Sequence, residues 1–325
     1  GARITYQFGD KSETLSGDEI RNWLTVNGTS VGINEGKATE YVKKLAASYD
    51  TAYKAKSLKT SYGKTVSITG GSYGYKINQA KEAATLVSLI KNGEQTSREP
   101  EYSQKGASRT GNDYGNTYVE INLTAQHLYF YVKGKLVVQS DFVSGNAAKG
   151  WSTPAGAYSI TYKQRNATLK GQGYATPVSY WMPFNGGIGL HDANWRKTFG
   201  GTIYKTNGSH GCVNLPPAVA KTIYENISAG DPVLCYHLDG TESASTSGTK
   251  KDETAATTAA VTTAAPETTA APTTAAPETT AAPTTAAPTT EAPTTPAAGG
   301  DQESVGPGFA PETEGTTEQE VGPGF

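Results

Sequence analysis

The chain is poor in the residues that build disulfide frameworks and metal centres. Its 325 residues include two cysteines, four histidines and one methionine. One cysteine pair is too few for a disulfide-rich scaffold, and no run of eighteen apolar residues is present that would span a bilayer. Since the sequence starts at Gly1 without a methionine, we expect an export signal or a membrane anchor upstream of it.

Basic residues are missing from the C-terminal quarter. Residues 252–325 hold eleven acidic residues and no Lys or Arg, whereas residues 1–251 hold 28 basic and 19 acidic residues, a net charge of +9. A Thr/Ala/Pro repeat with little to bury predicts a disordered acidic tail over 239–325, which ends in a duplicated VGPGF. The basic remainder suits an anionic wall polymer or membrane surface. It lacks the basic cluster with interleaved aromatics that reads bases, so nucleic acid is not an expected partner.

The first hundred residues predict an α+β module. Helices are expected after the capping residues Ser16, Asn34 and Asn78, where apolar side chains follow at helical spacing. Two alternating segments flank Gly70-Gly71, and this pair is interpreted as a hairpin turn. We assign residues 1–100 to this module and the polar residues 101–116 to a linker.

Residues 117–238 predict a mainly β domain with one packed helix. The expected strands are Thr117–Leu123, His127–Val132, Leu136–Val143, Thr153–Lys163, a short one ending at His191, and Asp231–Leu238. The helix is expected to start at Pro216-Pro217, because proline is tolerated in a first turn, and to end at Gly230.

The stretch GSHGCVNLPP places Cys212 between a glycine-containing loop and this predicted helix. A thiol near backbone N–H groups and a histidine should have a lowered pKa, as a nucleophile needs. His191 ends a strand and is a candidate general base, and Asp192 could orient its imidazole through the side chain or the backbone carbonyl. Two other interpretations stay open, a Cys212–Cys235 disulfide and a zinc site built from His191, His210 and Cys212.

His191 followed by Ser209-His210-Gly211-Cys212-Val213-Asn214 resembles the signature of the L,D-transpeptidase catalytic domain, also called the YkuD domain. The similarity continues through TYVEINLTAQHLYFY, TPAGAY, SYWMPFNGGIGLHDANWRKTFGG and GDPVLCY, and so covers about 117–238. Residues 1–100 similarly resemble the peptidoglycan-binding module that precedes this domain in Gram-positive members.

The resemblance implies an enzyme that forms 3-3 cross-links between peptidoglycan stem peptides. In this family the cysteine at the position of Cys212 attacks the third residue of a tetrapeptide stem and expels the terminal D-alanine, with His191 in the position of the base. The family needs no metal or organic cofactor, and carbapenems typically acylate the cysteine. It implies roles in cell-wall biogenesis and cell shape, outside the cytoplasmic membrane of a Gram-positive bacterium.

Further site residues follow from the same resemblance. The backbone N–H groups of Gly211 and Cys212 are expected to form the oxyanion hole. His210 is assigned to catalysis in some members and would otherwise shape the loop. The expected substrate-binding residues are Tyr180, Trp181, Trp195, Ser209 and Asn214.

Three alternative functions remain at this stage. Water in place of an acceptor amine would make the protein an L,D-carboxypeptidase. An exported cysteine endopeptidase of the NlpC/P60 type would have its cysteine before its histidine, whereas His191 precedes Cys212 here. A Cys212–Cys235 disulfide would leave a non-catalytic wall-binding protein.

Overall fold

The computed structural model describes residues 1–171 and 174–242, with only the backbone of Tyr174. The predicted tail from residue 243 onwards, including both VGPGF copies, lies outside the described residues. Within the described ranges, no helix is long and apolar enough to cross a membrane. The element order confirms an α+β module followed by a mainly β domain.

The N-terminal module contains all three predicted helices. Its elements are β1 (Arg3–Phe8), β2 (Lys11–Leu15), α1 (Gly17–Arg21), β3 (Leu24–Asn27), β4 (Ser30–Ile33), α2 (Glu35–Tyr49), β5 (Lys56–Lys59), β6 (Thr65–Ile68), β7 (Lys76–Ile77), α3 (Gln79–Lys91), β8 (Gln95–Arg98) and β9 (Tyr102–Gln104). The side chains of Asn34 and Asn78 accept hydrogen bonds from the first turns of α2 and α3, which confirms these two caps. Ser16 makes no such side-chain bond to α1.

The core of the module lies between α2, α3 and a small sheet. Strand β1 pairs antiparallel with β2 and parallel with β8. Apolar side chains of β1, including Ile4 and Tyr6, pack in one buried cluster with Leu45 of α2 and Leu86 of α3. Burial of this cluster is the main source of the module's stability.

Gly70-Gly71 is not a hairpin turn, and that prediction is wrong. Strand β6 pairs with β5 before it and not with the segment after the glycines. Gly71 has φ +79°, and a Cβ there would collide with the carbonyl oxygen of Ala157 in the second domain. The glycines therefore serve a close tertiary approach, which local sequence cannot reveal.

The stretch predicted as a linker is hydrogen-bonded to the module. Strand β9 pairs antiparallel with β7. Asp113 also accepts a hydrogen bond from the buried Lys56 at 2.6 Å. These contacts fix the residues that lead into the second domain.

The second domain contains two sheets and one long helix. Its elements are β10 (Tyr118–Asn122), β11 (His127–Val132), β12 (Lys135–Asp141), a 3-10 turn (Ala147–Lys149), β13 (Gly156–Ser159), β14 (Gln164–Gly171), β15 (Tyr174–Asn185), β16 (Ile188–Asp192), α4 (Ile203–Asn207), β17 (Val213–Leu215), α5 (Pro217–Asn226) and β18 (Pro232–Tyr236). The sequence did not predict β14, β15 or β17.

The two sheets enclose the core of this domain. One has the strand order β12-β11-β10-β18-β13 and the other the order β14-β15-β16-β17. Buried side chains of both sheets and of α5, such as Phe130, Leu190 and Ile223, form one cluster. The second sheet therefore has a buried face, and its strands β16 and β17 form part of the site described below.

The module contacts the first sheet of the second domain at β13. The Ala157 N–H donates to the Gly70 carbonyl at 3.1 Å, and the Tyr73 N–H donates to the Ala157 carbonyl at 3.0 Å. On β10, the buried carboxylate of Glu120 accepts hydrogen bonds from the backbone and the hydroxyl of Ser61 at 2.9 and 2.7 Å. Backbone and side-chain bonds thus connect the two parts.

Candidate active site

Adjacent parallel strands bring the candidate base and nucleophile together. In the pairing of β16 with β17, Leu190 lies opposite Val213 and His191 opposite Asn214. Cys212 immediately precedes β17, so the same register places it beside Gly189, two residues before His191 and on the same face of the strand. Cys212 and His191 both line one cavity of about 390 Å³.

Hydrogen bonding fixes the tautomer of His191. Its Nδ1 lies 2.9 Å from the backbone carbonyl oxygen of Asp192. Because a carbonyl oxygen can only accept, Nδ1 carries the proton and Nε2 keeps its lone pair. The carboxylate of Asp192 instead accepts from the Tyr180 N–H at 2.8 Å, so the backbone makes the orienting contact.

Burial keeps His191 neutral. The residue is 3% exposed. Desolvation lowers the pKa of the imidazole, and this outweighs the hydrogen bond and the charge of Asp192, which raise it. A neutral imidazole with a free Nε2 lone pair can accept a proton at physiological pH.

Cys212 is protonated in the resting structure. Burial raises the pKa of its thiol to about 11, against a smaller lowering by a backbone hydrogen bond from Gly189. The pKa is therefore shifted in the direction opposite to the one predicted, because burial of the thiol outweighs the backbone hydrogen bond that favours the thiolate. The Sγ lies 3.5 Å from the Gly187 carbonyl, to which the thiol donates.

The loop before Cys212 is held by its own side chains. The Ser209 hydroxyl donates to the Cys212 carbonyl at 2.5 Å and accepts from the Gly211 N–H at 3.0 Å. The Thr153 hydroxyl donates to the Gly211 carbonyl at 2.6 Å. Gly211 has φ +116°, a conformation that a side chain would strain. Because the Gly211 N–H donates to the Ser209 hydroxyl, one of the two predicted oxyanion-hole donors is already hydrogen-bonded in this structure.

Two of the predicted aromatic residues border the cavity. The rings of Trp181 and Trp195 each lie 6.0 Å from the His191 ring, measured between centroids, and both tryptophans line the cavity. Within the part of the chain that the structure describes, neither an aspartate nor a glutamate lines the cavity. The site thus combines a neutral thiol, a neutral imidazole and aromatic walls.

Comparison with known proteins identifies both parts of the chain. The family model for the L,D-transpeptidase catalytic domain (YkuD) matches residues 116–235, and the model for a peptidoglycan binding domain matches residues 3–98. The crystal structure of a cysteine-to-serine mutant of the Enterococcus faecium L,D-transpeptidase is 33% identical, with a TM-score of 0.60, over 72% of this chain and 95% of that one. The chain belongs to the L,D-transpeptidase family.

A second solved structure agrees with this assignment. The carbamoyl enzyme that Ldtfm forms with avibactam is also 33% identical, with a TM-score of 0.60, over 72% of this chain and 93% of that chain. No curated protein sequence matches the chain significantly. Membership of the L,D-transpeptidase family supports an enzyme that acts on peptidoglycan at the cell wall.

His210 stacks on Trp151. The two ring centroids are 4.1 Å apart with an interplanar angle of 23°, and Lys149 Nζ lies 4.7 Å from the centre of the Trp151 ring. His210 lines the cavity. The stacked ring fits the loop-shaping interpretation, and the sequence analysis did not identify Trp151 or Thr153 as parts of the site.

Tyr180 does not line the cavity, contrary to its predicted role in substrate binding. It precedes Trp181 on β15, and successive side chains of a strand face opposite sides of the sheet. Its ring packs against Tyr224 of α5 at 5.4 Å and carries Arg165 at 4.5 Å. The sequence identified an aromatic pair without showing which member faces the site.

Ser209 and Asn214, predicted to bind substrate, both line the cavity. The backbone of Asn214 bonds to Val143 in both directions, at 2.9 and 3.0 Å. Its side-chain oxygen is buried without a hydrogen-bond partner in the described structure. Such an acceptor is suited to a donor group on a ligand.

Two alternatives from the sequence analysis are tested by the positions of the thiols. Cys212 and Cys235 are both free: Cys212 precedes β17 of the second sheet, whereas Cys235 lies in β18 of the first sheet. Among the described residues, no group of three or more His, Cys, Asp or Glu side chains is arranged to hold a metal ion. Neither the disulfide nor the zinc interpretation matches this arrangement.

Proposed function

We propose that the protein is a peptidoglycan L,D-transpeptidase that forms 3-3 cross-links through a Cys212 thioester. The observation that carries the proposal is the shared cavity, where Cys212 lies beside a buried His191 whose Nδ1 is tied to a backbone carbonyl. This arrangement leaves Nε2 as the base for the thiol. Family membership supplies the peptidoglycan substrate class.

The first half-reaction acylates the enzyme. Nε2 of His191 accepts the thiol proton while the Cys212 sulfur attacks the carbonyl carbon of the third residue of a donor tetrapeptide stem. The carbonyl π electrons move onto oxygen and then return to form the thioester. The terminal D-alanine departs as an amine, which takes the proton from His191.

The developing oxyanion needs a hydrogen-bond donor close to the sulfur. Since Gly211 N–H is engaged by Ser209, the Cys212 N–H is the remaining donor of the expected pair. One such donor contributes roughly 3–4 kcal/mol of transition-state stabilisation in acyl-transfer enzymes. A small shift of the Ser209 side chain on substrate binding would release Gly211 N–H as the second donor.

The second half-reaction transfers the acyl group to an acceptor stem. The side-chain amine of its third residue attacks the thioester carbonyl, its proton passes to His191 Nε2, and the sulfur departs and regains a proton from the imidazole. Water competes with the amine at this stage and would give the carboxypeptidase product. Trp181 and Trp195 border the reacting atoms and are the residues that would exclude water from them.

The remaining parts of the chain fit a wall-bound enzyme. The N-terminal domain would hold peptidoglycan, and the net charge of +9 over residues 1–251 favours an anionic wall. We propose a location outside the cytoplasmic membrane of a Gram-positive bacterium. There it would act in cell-wall biogenesis and cell shape.

Intact-mass spectrometry tests the proposal. The protein and its Cys212→Ala variant are incubated with a carbapenem and, separately, with a disaccharide-tetrapeptide. We expect one carbapenem adduct on the parent alone, together with a stem dimer that lacks one D-alanine. A carbapenem adduct, together with stem monomers that have lost D-alanine and no stem dimer, would indicate a carboxypeptidase. No adduct, with both cysteines oxidised, would make it a wall-binding protein.

A further inference from the structure

The cavity beside Cys212 and His191 is positively charged. Arg196 and Lys170 line it, and no acidic side chain of residues 1–171 or 174–242 does. Lys170 is exposed on β14, where solvent screens its charge, whereas Arg196 is half-buried. Arg196 is therefore the cation whose charge acts most strongly inside the cavity.

The guanidinium of Arg196 has no counterion within the described ranges. Its Nε is buried without a hydrogen-bond partner, and burial lowers its pKa. Elsewhere in the described structure Lys56 pairs with Asp113 and Arg98 with Glu82. Arg109 also has an unpartnered Nε, but its other two nitrogens donate to the Tyr49 carbonyl and the Tyr102 hydroxyl. A desolvated, unpaired guanidinium is unfavourable unless an anion completes it.

Arg196 lies on the His191 side of the reacting atoms. It follows Trp195, whose ring lies 6.0 Å from that of His191. Arg196 and His191 line the same cavity. Burial is the main cause of the lowered pKa of His191, and the positive charge of Arg196 lowers it further. In the proposed reaction His191 protonates the leaving amine, so the leaving amino acid must lie on this side of the cavity.

We propose that Arg196 binds the free carboxylate of the leaving amino acid of the donor stem. In a terminal amino acid only one carbon separates the amine nitrogen from the carboxylate carbon. A cation that flanks the imidazole can therefore reach the carboxylate while His191 reaches the nitrogen. The planar guanidinium suits a carboxylate because it can donate two parallel hydrogen bonds. This inference rests on the proposed function.

Two consequences follow from this contact. A donor whose chain continues beyond the fourth residue has no carboxylate at this position, so Arg196 selects stems that end there. The bound carboxylate also neutralises the charge that disfavours a protonated His191. A donor with a free carboxylate would therefore make His191 a better acceptor for the thiol proton.

The test compares two donors that differ only in this charge. A disaccharide-tetrapeptide with a free terminal carboxylate and its terminal carboxamide are each given to the parent enzyme, and kcat/KM for release of the fourth residue is measured. We expect the parent to prefer the free acid by roughly 10- to 100-fold, the effect of losing one charge-assisted hydrogen-bonding partner. Arg196→Gln should reduce this preference to about twofold or less, mainly by slowing turnover of the free acid.

Lys197→Gln is the matched control, because it removes the same charge from the exposed neighbouring residue. It should keep the preference of the parent. Alkylation of Cys212 by iodoacetamide at an unchanged rate would show that Arg196→Gln leaves the cavity intact. Should that variant not fold, Arg196→Lys keeps the positive charge but cannot donate two parallel hydrogen bonds. It should retain only part of the preference for the free acid.

The outcomes separate the two proposals. Equal, Cys212-dependent turnover of both donors by the parent would overturn the role of Arg196 and leave the transpeptidase proposal standing. A preference that persists in a folded Arg196→Gln variant would also overturn it. No Cys212-dependent product from either donor would contradict the proposed function itself.

Discussion

At pH 8 the Cys212 thiol is expected to react with iodoacetamide roughly tenfold more slowly than an exposed cysteine. Burial raises its pKa from 9.0 to about 11. At pH 8 about one thiol in 1,000 is then ionised, compared with about one in ten at the unshifted value. The more basic thiolate is also the better nucleophile, with a Brønsted slope of about 0.4–0.5, and this recovers roughly a factor of ten.

The rate of carbamidomethylation, followed by intact mass from about pH 6 to pH 10, measures this pKa. We expect the rate to rise about tenfold per pH unit without a plateau, since the thiol titrates above this range. The Cys212→Ala variant reports any contribution of Cys235, which is completely buried. A rate that levels off below pH 8 would refute the reasoning, because it would reveal a thiolate–imidazolium pair with His191 in the resting enzyme.

Three further predictions concern packing and the loop. Gly71→Ala should lower the free energy of unfolding by roughly 2 kcal/mol or more, measured by thermal unfolding, because the new Cβ collides with Ala157. Gly63 has a similar φ of +74° but open space around it, so Gly63→Ala should destabilise the protein less. Equal losses of stability in the two variants would contradict the collision. Ser209→Ala should slow single-turnover acylation about tenfold, because losing the hydrogen bond to the Cys212 carbonyl loosens the loop by more than the release of Gly211 N–H gains; an unchanged or faster rate would count against this role. Trp195→Ala should raise the ratio of hydrolysis to transfer, measured on the stem products, and an unchanged ratio would exclude Trp195 from shielding the thioester.

The sequence predicts the elements of this fold where local signals decide them. Asn34 and Asn78 precede helices because their side chains satisfy N–H groups of the first turn, and this depends on neighbouring residues alone. Strand β15 was missed because Pro177 and Pro183 interrupt it, and a proline argues against a strand. Its partner β14 is mostly exposed and lacks the apolar alternation by which strands are recognised.

The sequence also predicts those parts of the candidate site that local signals decide, and not the parts that depend on the assembled fold. Cys212 and His191 could be found because a rare residue type stands in a recognisable motif. The pKa of Cys212 could not, since it depends on burial that arises only when the second sheet is assembled. Arg196 was also missed, because an arginine beside a tryptophan carries no sequence signal until the absence of acidic neighbours in the cavity is known.

The contact between Gly70, Tyr73 and Ala157 affects more than domain arrangement. Strand β13 is the outermost strand of the first sheet, and its unpaired backbone groups would otherwise offer a template for another chain. The module covers part of this edge and also supplies, through Ser61, two of the hydrogen bonds to the buried Glu120 carboxylate. A catalytic domain produced without its module would expose both the unpaired backbone groups of β13 and the Glu120 carboxylate. Covering this edge, the N-terminal domain also prevents strand pairing between copies of the catalytic domain.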